Sequence, residues 1–201
     1  GFDGARTADS PRRAAVAEGR IYLYFMNKEA LLHAVVGAFY ERLTASAEEG
    51  VHGLSDTRKQ LEFLARHHMI SCLSEWRIIE LAVATYRQMS EYENSGYLQF
   101  NKTYVAVFDH VIREGMNRGE IRRDIPIWNI RDLFYGALEY SCRTYLLRGH
   151  AADNLVEIAR NVQRLMHMVW QGIARVGEKP AGHADLEAIT RRLEAVAARL
   201  E

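Results

Sequence analysis

Apolar residues recur at intervals of three and four along most of this chain, and little interrupts them. Only 3 prolines occur in 201 residues, and long runs lack glycine, so a mostly helical chain is favoured over a sandwich or barrel. The spacing predicts a first long helix from a cap at Asn27 to about Glu49, with Leu31, Val35, Phe39 and Leu43 on one stripe. Ser55 is placed to cap a second, carrying Leu61, Leu64, His68 and Cys72, until a break near Leu73 and Ser74. A helix through Trp76, Ile79, Val83 and Tyr86 follows. The longest pattern covers 92–116, with Tyr97, Phe100, Tyr104, Val107, Phe108, Val111 and Ile112. The turn NRGEIRRDIP ends it, Gly119 serving as a left-handed cap and Pro126 as the start of the next element. Helices over 128–147 and 154–176, joined by the short loop RGHAAD, are expected to be antiparallel neighbours. After the linker GEKPAGHAD, Leu186, Ile189, Leu193, Val196 and Leu200 are spaced 3, 4, 3 and 4, a seam too short to stand without a partner surface.

Composition excludes several classes. A hydrophobic content of 48% is enough for a real core, and 26 basic against 26 acidic residues give no bulk attraction to nucleic acid, which leaves only local patches for such a role. Cys72 and Cys142 have no partner at metal-like spacing, so neither a disulfide scaffold nor a zinc site is indicated, and a reducing cytoplasmic setting fits. No apolar run reaches membrane-spanning length and no signal peptide opens the chain, so no membrane partner is expected. His67 and His68 are adjacent and point in different directions on a helix, His110 and Glu114 are four apart, and His167 stands between two methionines. No phosphate-cradling loop or nucleophile elbow accompanies them. The reading is therefore of a non-enzyme with no catalytic residues, no metal and no cofactor. A small helical enzyme with a histidine–carboxylate pocket, or an adaptor binding protein through its tail, are the alternatives.

The stretch AVAEGRIYLYFMNKEALL, residues 15–32, carries more. A very short helix after Gly19 has its first residues free to enter a DNA groove if an earlier helix braces it. Ala14, Val16 and Ile21 can hold such a pair while Arg20 and Tyr22 face out. Tyr22, Tyr24 and Phe25 equally suit a small aromatic core, and a tyrosine can do both by burying its ring and offering its hydroxyl.

The whole segment GFDGARTADSPRRAAVAEGRIYLYFMNKEALL resembles the DNA-binding region of tetracycline-repressor-like (TetR/AcrR) transcription regulators. Gly1-Phe2, Val16, Gly19, Ile21-Tyr22, Tyr24-Phe25, Lys28-Glu29 and Leu31 match that pattern in order and spacing. A looser likeness continues through VIREGMNRGEIRRDIPIWNIRDLFYGALE to about Ala174. The resemblance implies an all-α chain: a helix-turn-helix head, a long connecting helix, and a C-terminal ligand-binding and dimerisation bundle. The corresponding divisions are 1–49, 50–176 and a linker with an amphipathic helix at 177–201. It departs from the pattern in three places. The family's first helix is missing ahead of Gly1, Ser10-Pro11 sit within the first helix of the pair, and Ala15 stands where the turn usually has glycine.

Carried over residue by residue, the resemblance puts Ala17, Glu18, Gly19 and Arg20 at the groove-facing start of a recognition helix. Tyr22, Lys28 and Thr7 become contacts to the DNA backbone, and Arg20 is suited to guanine or phosphate. The implied function is a ligand-responsive repressor, released from a palindromic double-stranded operator by a small, mostly apolar effector of the kind that some relatives find in fatty acyl thioesters. Met69, Trp76, Tyr86, Met89, Tyr97, Phe100, Tyr104 and Phe134 are its candidate contacts, although a plain bundle core would use the same residue types. A homodimer is expected, its interface drawn from Leu133, Tyr140 and Leu147 on one helix and Val162, Leu165, Val169 and Ile173 on the next, each set near one face.

Overall fold

The computed structural model describes residues 28–80, 96–150 and 153–175, and long α-helices account for most of them. These are α1 (Lys28–Val51), α2 (Thr57–Ser74), α3 (Gly96–Asn117), α4 (Ile127–Leu147) and α5 (Leu155–Ile173), with residues 76–80 also helical after the break at Glu75. The DNA-contact candidates Thr7, Ala17, Glu18, Gly19, Arg20 and Tyr22, the cap Asn27, and the tail seam lie outside the described residues. Lys28 is the first residue of α1.

α2 is the hub of an all-α bundle. It packs against each of the other four helices, with α1 running along α3 and α4 bridging α3 and α5. Its central place follows from composition. Leu61, Leu64, Ala65, His68, Met69, Cys72 and Leu73 are buried, a stripe wide enough to need cover on more than one side. Two caps start helices where the sequence supplies short polar side chains. Asp56 Oδ1 accepts from the Lys59 N–H at 2.9 Å, and Asn154 Oδ1 accepts from the Glu157 N–H at 3.1 Å. Asp56, not Ser55, is therefore the cap of α2. Gly119 has the expected left-handed backbone, φ 78°, and Pro126 immediately precedes α4.

Other expectations need correction. The buried stripe of α1 is Val36, Phe39, Leu43 and Ala47, while Val35 is 40% exposed. A spacing of four drifts round a helix of 3.6 residues per turn, so the stripe recruits its neighbour at a three-residue step. α5 ends at Ile173 rather than Val176, because Ala174 is extended (φ −62°, ψ 145°) and bridges antiparallel to Ile121. Flanking that bridge, Arg122 N–H donates to Ile173 C=O and Arg175 N–H to Glu120 C=O, both at 3.0 Å. Val162, Val169 and Ile173, assigned to a subunit interface, are buried within this subunit at 1%, 6% and 2% exposure. An amphipathic helix has one strong apolar stripe, and α5 uses its stripe on α2 and α4. Leu165 is only partly buried against the same core. Leu133, Tyr140 and Leu147 are exposed on α4.

Candidate functional site

Two neighbouring rows on α4 have opposite fates. Ile130, Phe134, Leu138 and Cys142 face the dry core, whereas Arg131, Tyr135, Glu139 and Arg143, each one residue later, line a cavity of about 990 Å³. Its other described walls come from Phe39, Tyr40 and Leu43 of α1, His68 and Cys72 of α2, and Leu98, Tyr104 and Val105 of α3. Trp76 and Ile79 border it beyond the break in α2. The volume is at the upper end of that usual for small-molecule sites.

The inner wall is polar but nearly self-satisfied. His68 shares a hydrogen bond between Nδ1 and the Tyr104 hydroxyl at 3.0 Å, and its Nε2 lies 3.4 Å from Cys72 Sγ. Burial, reinforced by neighbouring His67, lowers the His68 pKa to about 3, so the ring is neutral. Cys72 also meets Cys142, and that contact together with burial holds its thiol well above the ordinary range. The sequence offered no hint of this pairing, since the two cysteines lie on different helices. Burial pushes the phenols of Tyr104 and Tyr135 upward. This side of the cavity is therefore uncharged at neutral pH, with neither a thiolate nor an imidazolium to act as nucleophile or acid.

Charge gathers at the outer wall. Arg131 Nη1 is held by Asp109 Oδ2 at 2.6 Å, both groups half-buried. Lys102, Asp132, Glu139 and Arg143 line the same space from exposed positions. The cavity walls desolvate Glu139 and raise its pKa, with Arg143 working against that shift. Among the described residues no group of three or more His, Cys, Asp or Glu is placed to hold a metal ion, and no helix is long and apolar enough to cross a membrane.

Of the effector candidates, Trp76 and Tyr104 line this cavity. Met69 and Phe134 are sealed in the core, Phe134 against Phe108 with ring centroids 4.7 Å apart. Tyr97 and Phe100 belong to a satellite cluster with Val36. There the bare Cα of Gly37 lets the Phe100 ring approach α1, since a Cβ would meet it at 2.9 Å. Tyr86 and Met89 lie outside the described residues. Tyr40, His68, Cys72, Arg131 and Tyr135 were not anticipated as cavity residues. The row at 131, 135, 139 and 143, polar at three of four steps beside a fully apolar row, was the available signal. Of the other histidines, His110 borders a separate hollow of about 430 Å³. Its supposed partner Glu114 instead accepts from Asn117 Nδ2 at 3.3 Å.

A bundle with such a hollow, entered from the chain's N-terminal side by one long helix, is the architecture of a ligand-responsive transcriptional regulator of the TetR class. Residues 35–169 match the family of that class described as YsiA-like protein, C-terminal region, and the chain belongs to it. It is similar to the fatty acid metabolism regulator protein of Bacillus subtilis (strain 168), with 24% identity over 170 residues that cover 83% of this chain and 85% of the relative. The fold matches that of the B. subtilis regulator FadR in complex with stearoyl-CoA, with a TM-score of 0.67 and 21% identity, covering 86% and 91% of the two chains. It also matches the fatty acid degradation regulator FadR of Bacillus halodurans, with a TM-score of 0.64 and 21% identity over 80% and 81%. These relatives are regulators rather than enzymes.

Proposed function

We propose that this protein is a homodimeric repressor in the cytoplasm that leaves a palindromic DNA operator when an acyl thioester of coenzyme A fills the cavity between α1 and α4. The observation that carries the reading is the composition of that cavity: an uncharged inner wall of Phe39, Leu43, Trp76 and Tyr104, and an outer wall of mixed charge on which Lys102 and Arg143 stand beside Glu80, Asp132 and Glu139. An acyl chain suits the first, and Lys102 and Arg143 are the cations of the second that can meet the phosphates of a nucleotide end. The stearoyl-CoA bound to the B. subtilis relative is in keeping with this.

The coupling runs through α1. Its first turn adjoins the segment that resembles a DNA-reading head, and about three to four turns from its start Phe39, Tyr40 and Leu43 wall the cavity. An effector that spreads α1 from α4 therefore tilts the helix that carries the head. It shifts the equilibrium only by its differential affinity for the two arrangements. The division into a head with connecting helix at 1–49, an effector domain at 50–176 and a tail at 177–201 belongs to the same proposal. So do Thr7, Ala17 to Arg20, Tyr22 and Lys28 as DNA contacts. Leu133 and Leu147 of α4 and Met168 of α5 are exposed and available to meet a second subunit, whereas Tyr140, also exposed, borders the cavity.

Footprinting of the gene's own upstream region with full-length protein tests this. We expect a protected pseudo-palindrome that is lost on adding stearoyl-CoA, and Lys28→Ala should weaken all duplexes alike, reducing the salt slope by about 1. No protection at any salt concentration would overturn the repressor reading. Protection indifferent to acyl-CoA would overturn the effector assignment alone.

A further inference from the structure

The cavity is more aromatic than a straight hydrocarbon chain requires. α1, α2, α3 and α4 each contribute a ring, and the rings touch one another across the helices. Tyr40 meets Tyr104 edge to face with centroids 6.2 Å apart, His68 lies nearly parallel to Tyr104 at 5.9 Å, and Tyr135 stands edge-on to His68 at 5.0 Å and tilted to Tyr104 at 5.6 Å. Trp76 adds a further ring to the same space. The arrangement is fixed in advance, because His68 is held on one side by the Tyr104 hydroxyl and on the other by Cys72 Sγ. The neutral state of His68 makes its ring one more uncharged wall rather than a cation.

Two kinds of apolar guest respond differently to such a wall. A polymethylene chain gains in proportion to the area it buries, whatever apolar atoms cover it. A planar ring gains in addition from offset or edge-to-face placement against rings that are already held, and a fixed wall spares the cost of ordering them. Resting on the acyl-thioester reading above, we infer that the acyl group of the effector carries an aromatic ring, seated among Tyr40, His68, Trp76, Tyr104 and Tyr135, with its thioester directed toward Lys102 and Arg143. The preferred effector class is thus an aryl-substituted acyl-CoA rather than a long saturated one.

The test is calorimetric titration of the full-length protein with two thioesters of equal acyl carbon number, phenylacetyl-CoA and octanoyl-CoA, and with two free acids matched in the same way, phenylbutyrate and decanoate. We expect phenylacetyl-CoA to bind about tenfold more tightly than octanoyl-CoA. Tyr40→Leu and, separately, Tyr135→Leu should reduce that preference to about threefold or less, the larger loss falling on phenylacetyl-CoA. Circular dichroism checks that each variant is folded, and the half-buried Tyr40 position keeps the test open if Tyr135→Leu fails to fold. Octanoyl-CoA binding as tightly as phenylacetyl-CoA overturns the aromatic inference and leaves the thioester reading standing. If neither thioester binds but phenylbutyrate binds better than decanoate, the thioester reading falls and the aromatic wall keeps its role. If none of the four binds, both fall.

Discussion

The two sides of α4 show how one helix can build a solid and a hollow at once. Toward α5, Phe134 sits against Phe108 and is 1% exposed, among Ile130, Leu138, Ile158, Val162 and Met166 at 2% or less. Toward α1, the next residue of each turn faces open space, and the rings there touch one another round a void. Residue type separates the two only in part: the hollow-side row of α4 carries Arg131, Glu139 and Arg143, but both sides use aromatics. What separates them is whether a neighbouring helix comes close enough to fill the gap, and the solid side gives the hollow side walls that do not collapse.

Emptying the solid side should have the largest effect. Phe134→Ala is expected to destabilise the fold by about 3–5 kcal/mol, read as a lower urea midpoint, because the hole it leaves is surrounded by atoms already in place. A loss under about 1 kcal/mol would show that the core is no more tightly packed than the cavity wall.

Acid should act next, through the polar wall of the hollow. His68 has a folded pKa of about 3 against an ordinary value of 6.5. The unfolded chain therefore binds the proton more readily, and the stability that His68 contributes is fully present above about pH 6.5 and is lost as pH falls toward 3. At pH 5 the loss is about 2 kcal/mol from this group alone. Urea midpoints at pH 7 and pH 5 should differ less in His68→Gln than in the parent, and an equal difference in both would remove His68 as the cause.

The smallest effect on stability belongs to the rim. Lys102→Ala, at an exposed position, should change the urea midpoint by no more than about 0.5 kcal/mol. It should weaken an acyl-CoA, with its several phosphate charges, more than the corresponding free acid, which brings a single carboxylate. Equal weakening of both would place Lys102 against the acyl group instead of the nucleotide end.

Much of the solid side could be read from the chain itself. Periodicity located α3 and α4 to within a few residues, and Gly119 and Pro126 marked the turn between them, because those signals are local: a stripe, a left-handed glycine, a proline with no N–H to lose. The stripe Leu61, Leu64, His68 and Cys72 was likewise visible and is buried. The hollow was harder. A cavity residue and a core residue show the same spacing, so spacing does not tell Tyr135 from Phe134 or Trp76 from Met69; the charged neighbours of Tyr135 in its row were the one clue. The pairing of Cys72 with Cys142 was hidden for the same reason. The apolar face of α5 could not be assigned from spacing, because the same periodicity serves any partner, and Val162, Val169 and Ile173 of that face are buried within the subunit.

The bridge between Ile121 and Ala174 has a mechanical consequence. It joins the turn before α4 to the residue after α5, so the two helices and their connection form a hairpin pinned at its open end. For a hairpin held in this way, any swing about the pin would displace each residue in proportion to its distance along the arm. At 1.5 Å per residue, Arg143 is about 18 Å further along α4 than Arg131. Arg131, anchored to Asp109 near the pin, is the fulcrum side of the cavity. Arg143 stands at the far end of the same arm, where any swing about the pin would be largest.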